Sequence, residues 1–227
     1  MCNRYASEVR KAGLEREYWG FDEWSETHIN PLLGNAVLEV FPKSVAPVIG
    51  KREDGSLGWT RMRWGLPGPA STGGAPVTNI RNVASPHWRP VLGPAHRCLV
   101  PFTAFSEYDD ASPKGAKQIR WFAPPDRSML MFAGIWRSWT GDYGSKKEPN
   151  EGKHLLFSFL TTEPNDIVRP IHAKAMPVVL IGPEAQQEWL SAPAEAVADI
   201  QARPVANDAL EVLDADEASA YGGAYIK

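Results

Sequence analysis

Short apolar segments, bounded by glycine, proline or charged residues, recur along the chain and constrain its fold more than any other feature. Strands are predicted at residues 36–41, 98–102, 118–122, 129–136, 155–161 and 176–181, and at 47–51 and 57–66 around an Asp54-Gly55 turn. The runs at 67–76 and 141–152 predict loops. The sequence therefore predicts an α+β fold with many short, mostly antiparallel strands and a few peripheral helices.

Helices are expected near the two ends of the chain. Ser7, followed by charged and apolar residues through Arg16, favours a short helix with a serine N-cap. Residues 183–191 and 193–201 each begin with a proline suited to a helix start and carry apolar residues at helical spacing. Residues 184–217 hold nine carboxylates against the single cation Arg203, which predicts a solvated helical exterior.

Length and composition favour a single domain that lies outside membranes. The 227 residues fall below the length of roughly 250–300 at which cores usually split. Charged residues interrupt the first 24 positions, and no stretch reaches the roughly 20 apolar residues of a membrane span. Cys2 and Cys98 are too few for a disulfide framework and are expected to be free thiols. We predict a cytoplasmic monomer with no cofactor and no metal site, because cysteine and histidine lack paired short spacing.

The charge distribution points to one candidate surface for an anion. The net charge is only −3, yet residues 64–106 contain no Asp or Glu and include Arg81 and Arg89. Such a stretch is either an anion-binding surface or a loop that happens to lack acids. Trp64 and Trp88 are interleaved with arginines, as in proteins that stack single-stranded bases, although burial is the commoner fate of tryptophan.

Cys2 carries the most unusual chemistry in the sequence. Removal of Met1, expected before a small residue, would leave an α-amine and a thiol on one cysteine. An α-amine has a pKa of about 7.7–8.0 against about 10.4 for lysine, so it is the better nucleophile at neutral pH. The amine and thiol could trap an aldehyde as a thiazolidine, or the thiol could serve an amidohydrolase with the amine as its base. Both reactions remain open on the residues alone.

Three further residues are candidates for the same site. Asn79, in the segment NIRN, offers an amide that can bind sugar oxygens. Glu107 follows an apolar strand among aromatic residues, so burial should disfavour its charge and poise it as a general acid and base. His172, in RPIHAKAMP, precedes an apolar segment, where a structural histidine is the alternative interpretation.

Seven segments, taken in order, resemble the SOS response-associated peptidase (SRAP) family. They are MCNRY, RWGL, TNIRN, RCLVPFTAFSEY, FAGIW, LTTEPN and IHAKAMPVVL, and they extend over residues 1–190. The resemblance implies a single domain over residues 1–227 with a β-barrel-like core. Residues 191–227 of this domain would form an acidic helical tail. It also implies covalent capture of abasic sites in single-stranded DNA and, from the family name, a peptidase activity.

The resemblance also implies a role for each matching residue. Cys2 would form the crosslink, Asn79 would hold the sugar-derived part of the adduct, and Glu107 and His172 would transfer protons. The DNA contacts would come from Arg4, Arg81, Arg89, Trp64, Trp88 and Lys174. Two alternatives are an N-terminal-nucleophile amidohydrolase and a noncovalent binder of single-stranded DNA. An amidohydrolase needs an oxyanion hole, whereas the acid-free stretch favours an extended anion.

Overall fold

A computed structural model describes residues 2–7, 38–51, 55–69, 74–144 and 147–221. The strands are β1 Arg4–Ser7, β2 Leu38–Val40, β3 Val45–Lys51, β4 Leu57–Trp64, β5 Asn79–Ile80, β6 Arg97–Phe102, β7 Ala104–Tyr108, β8 Ile119–Ala123, β9 Leu130–Asp142, β10 Glu151–Thr162, β11 Met176–Pro177, β12 Val179–Leu180 and β13 Glu211–Val212. The α-helices are α1 Gly182–Ser191, α2 Val197–Ala202 and α3 Ala215–Ser219, and 3₁₀ turns lie at Arg89–Val91, Pro94–His96, Ala194–Ala196 and Asn207–Ala209. Over these ranges, no helix is both long and apolar enough to span a membrane.

Five strands close into a small mixed barrel, in the order β10-β4-β3-β6-β9, because β9 also pairs with β10. The predicted β3–β4 hairpin is confirmed and antiparallel. By contrast, β10 runs parallel to β4 and to β5. Closure matters physically because it leaves these five strands without an unpaired edge. The α+β class with a barrel core is therefore confirmed, and most of its strand pairs are antiparallel.

A second, antiparallel sheet brings the start of the chain onto the barrel, in the order β13-β8-β7-β1-β2. Tyr5 of β1 makes edge-to-face contacts with three barrel rings, at centroid distances of 5.3 Å to Trp64, 5.8 Å to Phe132 and 6.1 Å to Phe159. Such aromatic pairs add to the stabilisation from buried area. The core thus joins both sheets and fixes β1 between β7 and β2.

Several predicted elements need correction. Residues 4–7 form strand β1, which was not predicted, and the rest of the helix predicted from Ser7 lies outside the described residues. The predicted loop at 141–152 is shorter, because β9 continues to Asp142 and β10 begins at Glu151. The sequence analysis also missed strands β7 and β13. In β7 all residues but the last are buried, so no alternation of polar and apolar residues marks it.

The acidic tail is part of the domain core as well as its surface. The two helices predicted there are present, although the second begins as a 3₁₀ turn and becomes α-helical at Val197. Beyond them, β13 pairs with β8, and Leu213 and Tyr221 are buried. The Tyr221 ring lies 5.7 Å from that of Trp121 in β8. A purely solvated exterior was wrong because apolar residues between the carboxylates pack on the second sheet.

Arg97, within the acid-free stretch, is structural. Its side chain is fully buried at the start of β6, where it donates hydrogen bonds to the carbonyls of Leu92, Trp189 and Pro193. The guanidinium also lies 4.3 Å from the Trp189 ring centroid. Burial lowers the pKa of Arg97 to about 10, so the group stays charged at neutral pH. It holds the last turn of α1 against the barrel and is closed to any external anion.

We expect Gly134→Ala to destabilise the barrel by about 1–3 kcal/mol. Gly134 of β9 faces Cys98 of β6, and a Cβ there would lie 2.7 Å from Cys98 Sγ and 2.8 Å from Val100 Cγ2. These neighbours are themselves fully buried and have no room to move. The free energy of unfolding in urea measures the effect.

Gly50→Ala is the matched control. Gly50 of β3 faces the same Cys98 from the other side, but a Cβ there would meet nothing closer than 3.6 Å. Equal losses of stability in both variants would mean that crowding around Cys98 is not the cause.

Candidate active site

Cys2 lies immediately before β1, in the interface between the two sheets. Pairing of Arg4 with Ser106 places β1 antiparallel to β7, so the residues just before Arg4 run towards Glu107, whose charge acts on the Cys2 thiol. The Cys2 side chain is fully buried, and its thiol donates to the Arg4 carbonyl at 3.3 Å. Burial, and secondarily the negative charge of Glu107, raises the pKa of the Cys2 thiol well above its usual value. The thiol is therefore protonated in this arrangement.

Asn79 fixes the backbone of Cys2. Its side-chain nitrogen donates to the Cys2 carbonyl at 2.8 Å and to the Thr78 hydroxyl at 2.9 Å. Its side-chain oxygen is buried and accepts no hydrogen bond from the described residues. A buried amide oxygen without a donor is costly. Among the described residues it therefore has an unused capacity to accept a hydrogen bond.

Glu107, in β7, is a buried carboxyl group beside the cysteine. Its side chain is 1% exposed, and burial, with a smaller contribution from the charge of Asp110, raises its pKa to about 8. The expected suppression of its charge is confirmed. The group therefore carries a proton at neutral pH and can act as a general acid.

His172 lies within reach of this carboxyl group. Its Nε2 is 3.7 Å from Glu107 Oε2, and burial lowers its pKa. On the other side of the ring, Nδ1 lies 3.4 Å from Asp110 Oδ1. Sequence reasoning missed Asp110, whose only signal was an acidic residue three positions after Glu107. The structure thus brings together Cys2, Asn79, Glu107 and His172, as the sequence predicted.

Arg4 is not available to a phosphate in this structure. Its Nε donates to Glu39 Oε2 at 3.0 Å, and its guanidinium lies 5.1 Å from the ring centroids of both Phe41 and Trp121. The side chain is 10% exposed. The phosphate contact of Arg4 stays a prediction: Glu39 already pairs with the guanidinium, and a phosphate would have to displace it.

The other predicted cations are on the surface. Arg81 follows β5, two residues beyond Asn79, and forms an ion pair with the exposed Glu163. Lys174 is exposed, and its charge acts on both His172 and Asp110. Arg89 is exposed at the start of its 3₁₀ turn, and no contact among the described residues joins it to the site. Phosphate binding by all three remains a prediction.

Trp64 and Trp88 do not present their rings to a ligand. Trp64 is fully buried, stacks on Phe159 at 5.1 Å and donates its indole N–H to the Thr78 carbonyl. Trp88 is buried among the apolar residues under α1. The predicted base stacking by these rings is corrected, because both belong to the core. Among the described residues, Phe41 is an aromatic residue that is 42% exposed and lines the cleft beside Glu107.

A small cleft leads from the surface towards Glu107. Its volume is about 50 Å³, and Arg4, Phe41, Tyr108 and Ile119 line it together with Glu107. Over the described ranges, no three Cys, His, Asp or Glu side chains converge in a way that could hold a metal ion. The chemistry available here is therefore that of a thiol, an amide, an imidazole and carboxyl groups.

The fold and the site define a class: a small mixed barrel whose second sheet places a cysteine at the start of the chain beside buried Asn, Glu and His residues. The chain belongs to the SOS response associated peptidase (SRAP) family, whose model matches residues 1–218. The family resemblance drawn from the sequence motifs is thereby confirmed. A comparison with curated proteins finds no match.

Three solved structures with the same fold come from Bordetella bronchiseptica and Bacteroides thetaiotaomicron. A Bordetella bronchiseptica protein is 21% identical with a TM-score of 0.68, and 100% of each chain is covered. A phage-related protein from the same organism is 22% identical, with a TM-score of 0.62 and 93% of each chain covered. A Bacteroides thetaiotaomicron protein is 20% identical with a TM-score of 0.65, covering 96% of this chain and 94% of the other. At these identities the similarity establishes the fold alone.

Proposed function

We propose that this protein captures abasic sites in single-stranded DNA through a thiazolidine formed by Cys2. The observation that carries the proposal is the convergence on Cys2 of a proton-bearing Glu107 and an Asn79 amide whose oxygen accepts no hydrogen bond from the described residues. An abasic site offers an aldehyde and sugar hydroxyl groups, and these side chains match them. The proposal includes removal of Met1, which frees the α-amine.

The reaction needs no other reagent. The neutral α-amine of Cys2 adds to the aldehyde carbon and forms a carbinolamine. Glu107 donates its proton to the departing hydroxyl, so that water leaves, and its carboxylate takes back the proton of the nitrogen as the imine forms. The thiol of Cys2 then adds to the imine carbon and passes its proton to the nitrogen, which closes a five-membered ring. One aldehyde and one cysteine give one thiazolidine and one water.

Asn79 and the cleft beside Glu107 suit the sugar. The oxygen of Asn79 would accept a hydrogen bond from an open-chain hydroxyl, while its nitrogen keeps the Cys2 carbonyl in place. Phe41 at the rim offers a face on which a neighbouring base could stack.

A denaturing gel tests the proposal directly. The purified protein, with the removal of Met1 verified by mass spectrometry, is mixed with a single-stranded oligonucleotide that is either intact or abasic at one position. We expect a band of reduced mobility with the abasic strand alone. Absence of that band from correctly processed protein would reject the proposal.

The family name supports a second candidate, a peptidase. A cysteine with its own amine as base can attack an amide carbonyl. Because the Cys2 pKa is raised, the thiol is poorly prepared for such an attack unless substrate changes its surroundings. Release of Met1 by a purified precursor, followed by mass spectrometry, separates self-processing from processing by another enzyme.

Arg81 provides a test of the DNA path. We expect Arg81→Ala to weaken binding to intact single-stranded oligonucleotide and to reduce the slope of log affinity against log salt by about 0.7, the value of one phosphate contact. Glu163→Gln should have the opposite effect on affinity, because it frees the guanidinium of Arg81. The gain should be at most about fivefold, since an exposed ion pair contributes only about 0.2–1 kcal/mol. Fluorescence anisotropy at several salt concentrations measures both.

Glu188→Gln is the control for this pair of variants. Glu188 of α1 forms a similarly exposed ion pair with Arg203, just after α2, and Glu188→Gln removes the same charge as Glu163→Gln. An equal gain in affinity from Glu188→Gln would attribute the effect to net charge and would place Arg81 off the DNA path.

A further inference from the structure

We infer that Asp110 is a positioning residue that holds the His172 ring with its proton on Nδ1 and its Nε2 lone pair towards Glu107. This inference deepens the proposed function and rests on it for its catalytic consequence. It rests on three contacts that tie Asp110 to the segment carrying His172. The orientation of the ring itself is a property of the free protein.

The first contacts involve the backbone. Asp110 lies just after β7, and its amide donates to the Ile171 carbonyl at 2.8 Å. Its side-chain Oδ2 accepts a hydrogen bond from the Ala173 amide at 3.2 Å. These bonds join the turn after β7 to the residues on either side of His172. The position of the carboxylate relative to the imidazole is therefore fixed by main chain and does not depend on the imidazole.

The tautomer of the His172 ring depends on the two carboxyl groups beside it. Asp110 Oδ1 lies 3.4 Å from His172 Nδ1, whereas Glu107 Oε2 lies 3.7 Å from Nε2. An ionised carboxylate can only accept a hydrogen bond, so it favours the tautomer with the proton on Nδ1. Nε2 then presents a lone pair to Glu107, which is the group that bears a proton. Asp110 thus decides the direction in which a proton can pass between Glu107 and His172.

The charges that face His172 set its titration. Glu107 and Asp110 face it from β7 and the turn after it, and Lys174 and the amino-terminal charge act on it as well. Asp110 raises the pKa of His172 against the lowering effect of burial. Replacing Asp110 with a neutral residue should therefore lower the pKa of His172, and replacing Asp109 should not. Asp109 is adjacent and carries the same charge, but its side chain accepts from the Ala111 amide.

The experiment compares wild type with Asp110→Ala, Asp110→Asn and the control Asp109→Asn. Nitrogen-15 NMR of the imidazoles in the free protein, with the signal assigned through His172→Gln, reports the tautomer and the pKa. Thermal unfolding confirms that each variant is folded. We expect the wild-type His172 to carry its proton on Nδ1, Asp110→Ala to lose this preference, and both Asp110 variants to lower the pKa of His172.

Crosslinking kinetics give the second readout. Single-turnover formation and reversal with an abasic oligonucleotide should slow by about 10-fold or more in Asp110→Ala, with partial rescue in Asp110→Asn. Asp109→Asn should match wild type in both arms. A proton on Nε2 in wild type, or an unchanged tautomer in Asp110→Ala, overturns the inference. Normal kinetics in a variant with an altered tautomer also overturns it. If wild type forms no crosslink, the proposed function fails, while the NMR result still decides the orientation of His172.

Discussion

Cys2→Ala is expected to abolish the covalent band with abasic DNA completely while leaving binding to intact single-stranded DNA within about twofold. The α-amine remains in this variant and can still form an imine, but without the thiol the ring cannot close and the imine hydrolyses on denaturation. The DNA contacts proposed at Arg81 and Lys174 involve no atom of Cys2. Denaturing gels and anisotropy, run on the same preparation, measure the two effects.

Cys98→Ala is the matched control for this experiment. Both thiols are fully buried, and burial raises the pKa of each. If a buried thiol were all that crosslinking required, both variants would give the same result. Only Cys2 carries the α-amine on its own Cα after removal of Met1, so only Cys2→Ala should lose the band. A lost band in Cys98→Ala and a normal one in Cys2→Ala would make the assignment of the nucleophile wrong.

Local patterns were enough to predict much of the fold. The hairpin formed by β3 and β4 is marked by two apolar runs around a turn, and the strand β6 by a continuous apolar run. Barrel closure could not be predicted from such patterns. It depends on the parallel pairing of Arg63 with Leu156, which are far apart in the sequence and carry no mark of one another. Short-range periodicity specifies a strand and leaves its distant partner open.

The site could be predicted in part because the residue types themselves, a cysteine, an amide, a carboxyl group and an imidazole, indicate its chemistry. Glu107 was expected to lose its charge because it follows an apolar strand among aromatic residues, and burial in the structure does raise its pKa. Burial also explains why base stacking was wrongly predicted for Trp64. Trp64 looked available for base stacking, but Tyr5 and Phe159 enclose it in the core. The pairing of Arg4 with Glu39, which is 35 residues away, could not be predicted either, because no local pattern marks that partner.

Glu107→Gln is expected to slow crosslink formation by about 10²-fold or more, with little change in the final yield. Glutamine keeps the shape and one hydrogen-bond acceptor, but it has no proton to give to the departing hydroxyl. The yield depends on the stability of the thiazolidine ring, which contains no atom of Glu107. Single-turnover time courses on abasic DNA measure rate and yield separately. A wild-type rate in this variant would reassign proton transfer to His172 or water.

The pH dependence of the crosslinking rate gives a second test of Glu107 as the acid. Glu107 is active as an acid only while protonated, so the wild-type rate should fall as pH rises through about 8. That alkaline limb should be absent in Glu107→Gln. The rise at lower pH, where the α-amine loses its proton, should remain in both. If Glu107→Gln kept the alkaline fall and lost the rise at lower pH, Glu107 would act as a base.

Stability provides an independent check on the buried carboxyl group, free of DNA. The folded pKa of Glu107, about 8, lies above the ordinary 4.5, so the native state holds a proton that the unfolded chain releases. Its contribution to stability is fully present below about pH 4.5 and is lost as pH rises through about 8. Glu107→Gln never ionises, and it should therefore unfold at a higher temperature than wild type at pH 8, with the difference vanishing near pH 4. Equal melting temperatures at both pH values would mean that Glu107 ionises freely in the native state and could not supply the proton that imine formation requires. The same burial that makes the group a useful acid thus makes the domain less stable at neutral pH, which is the usual relation between a strained site and its fold.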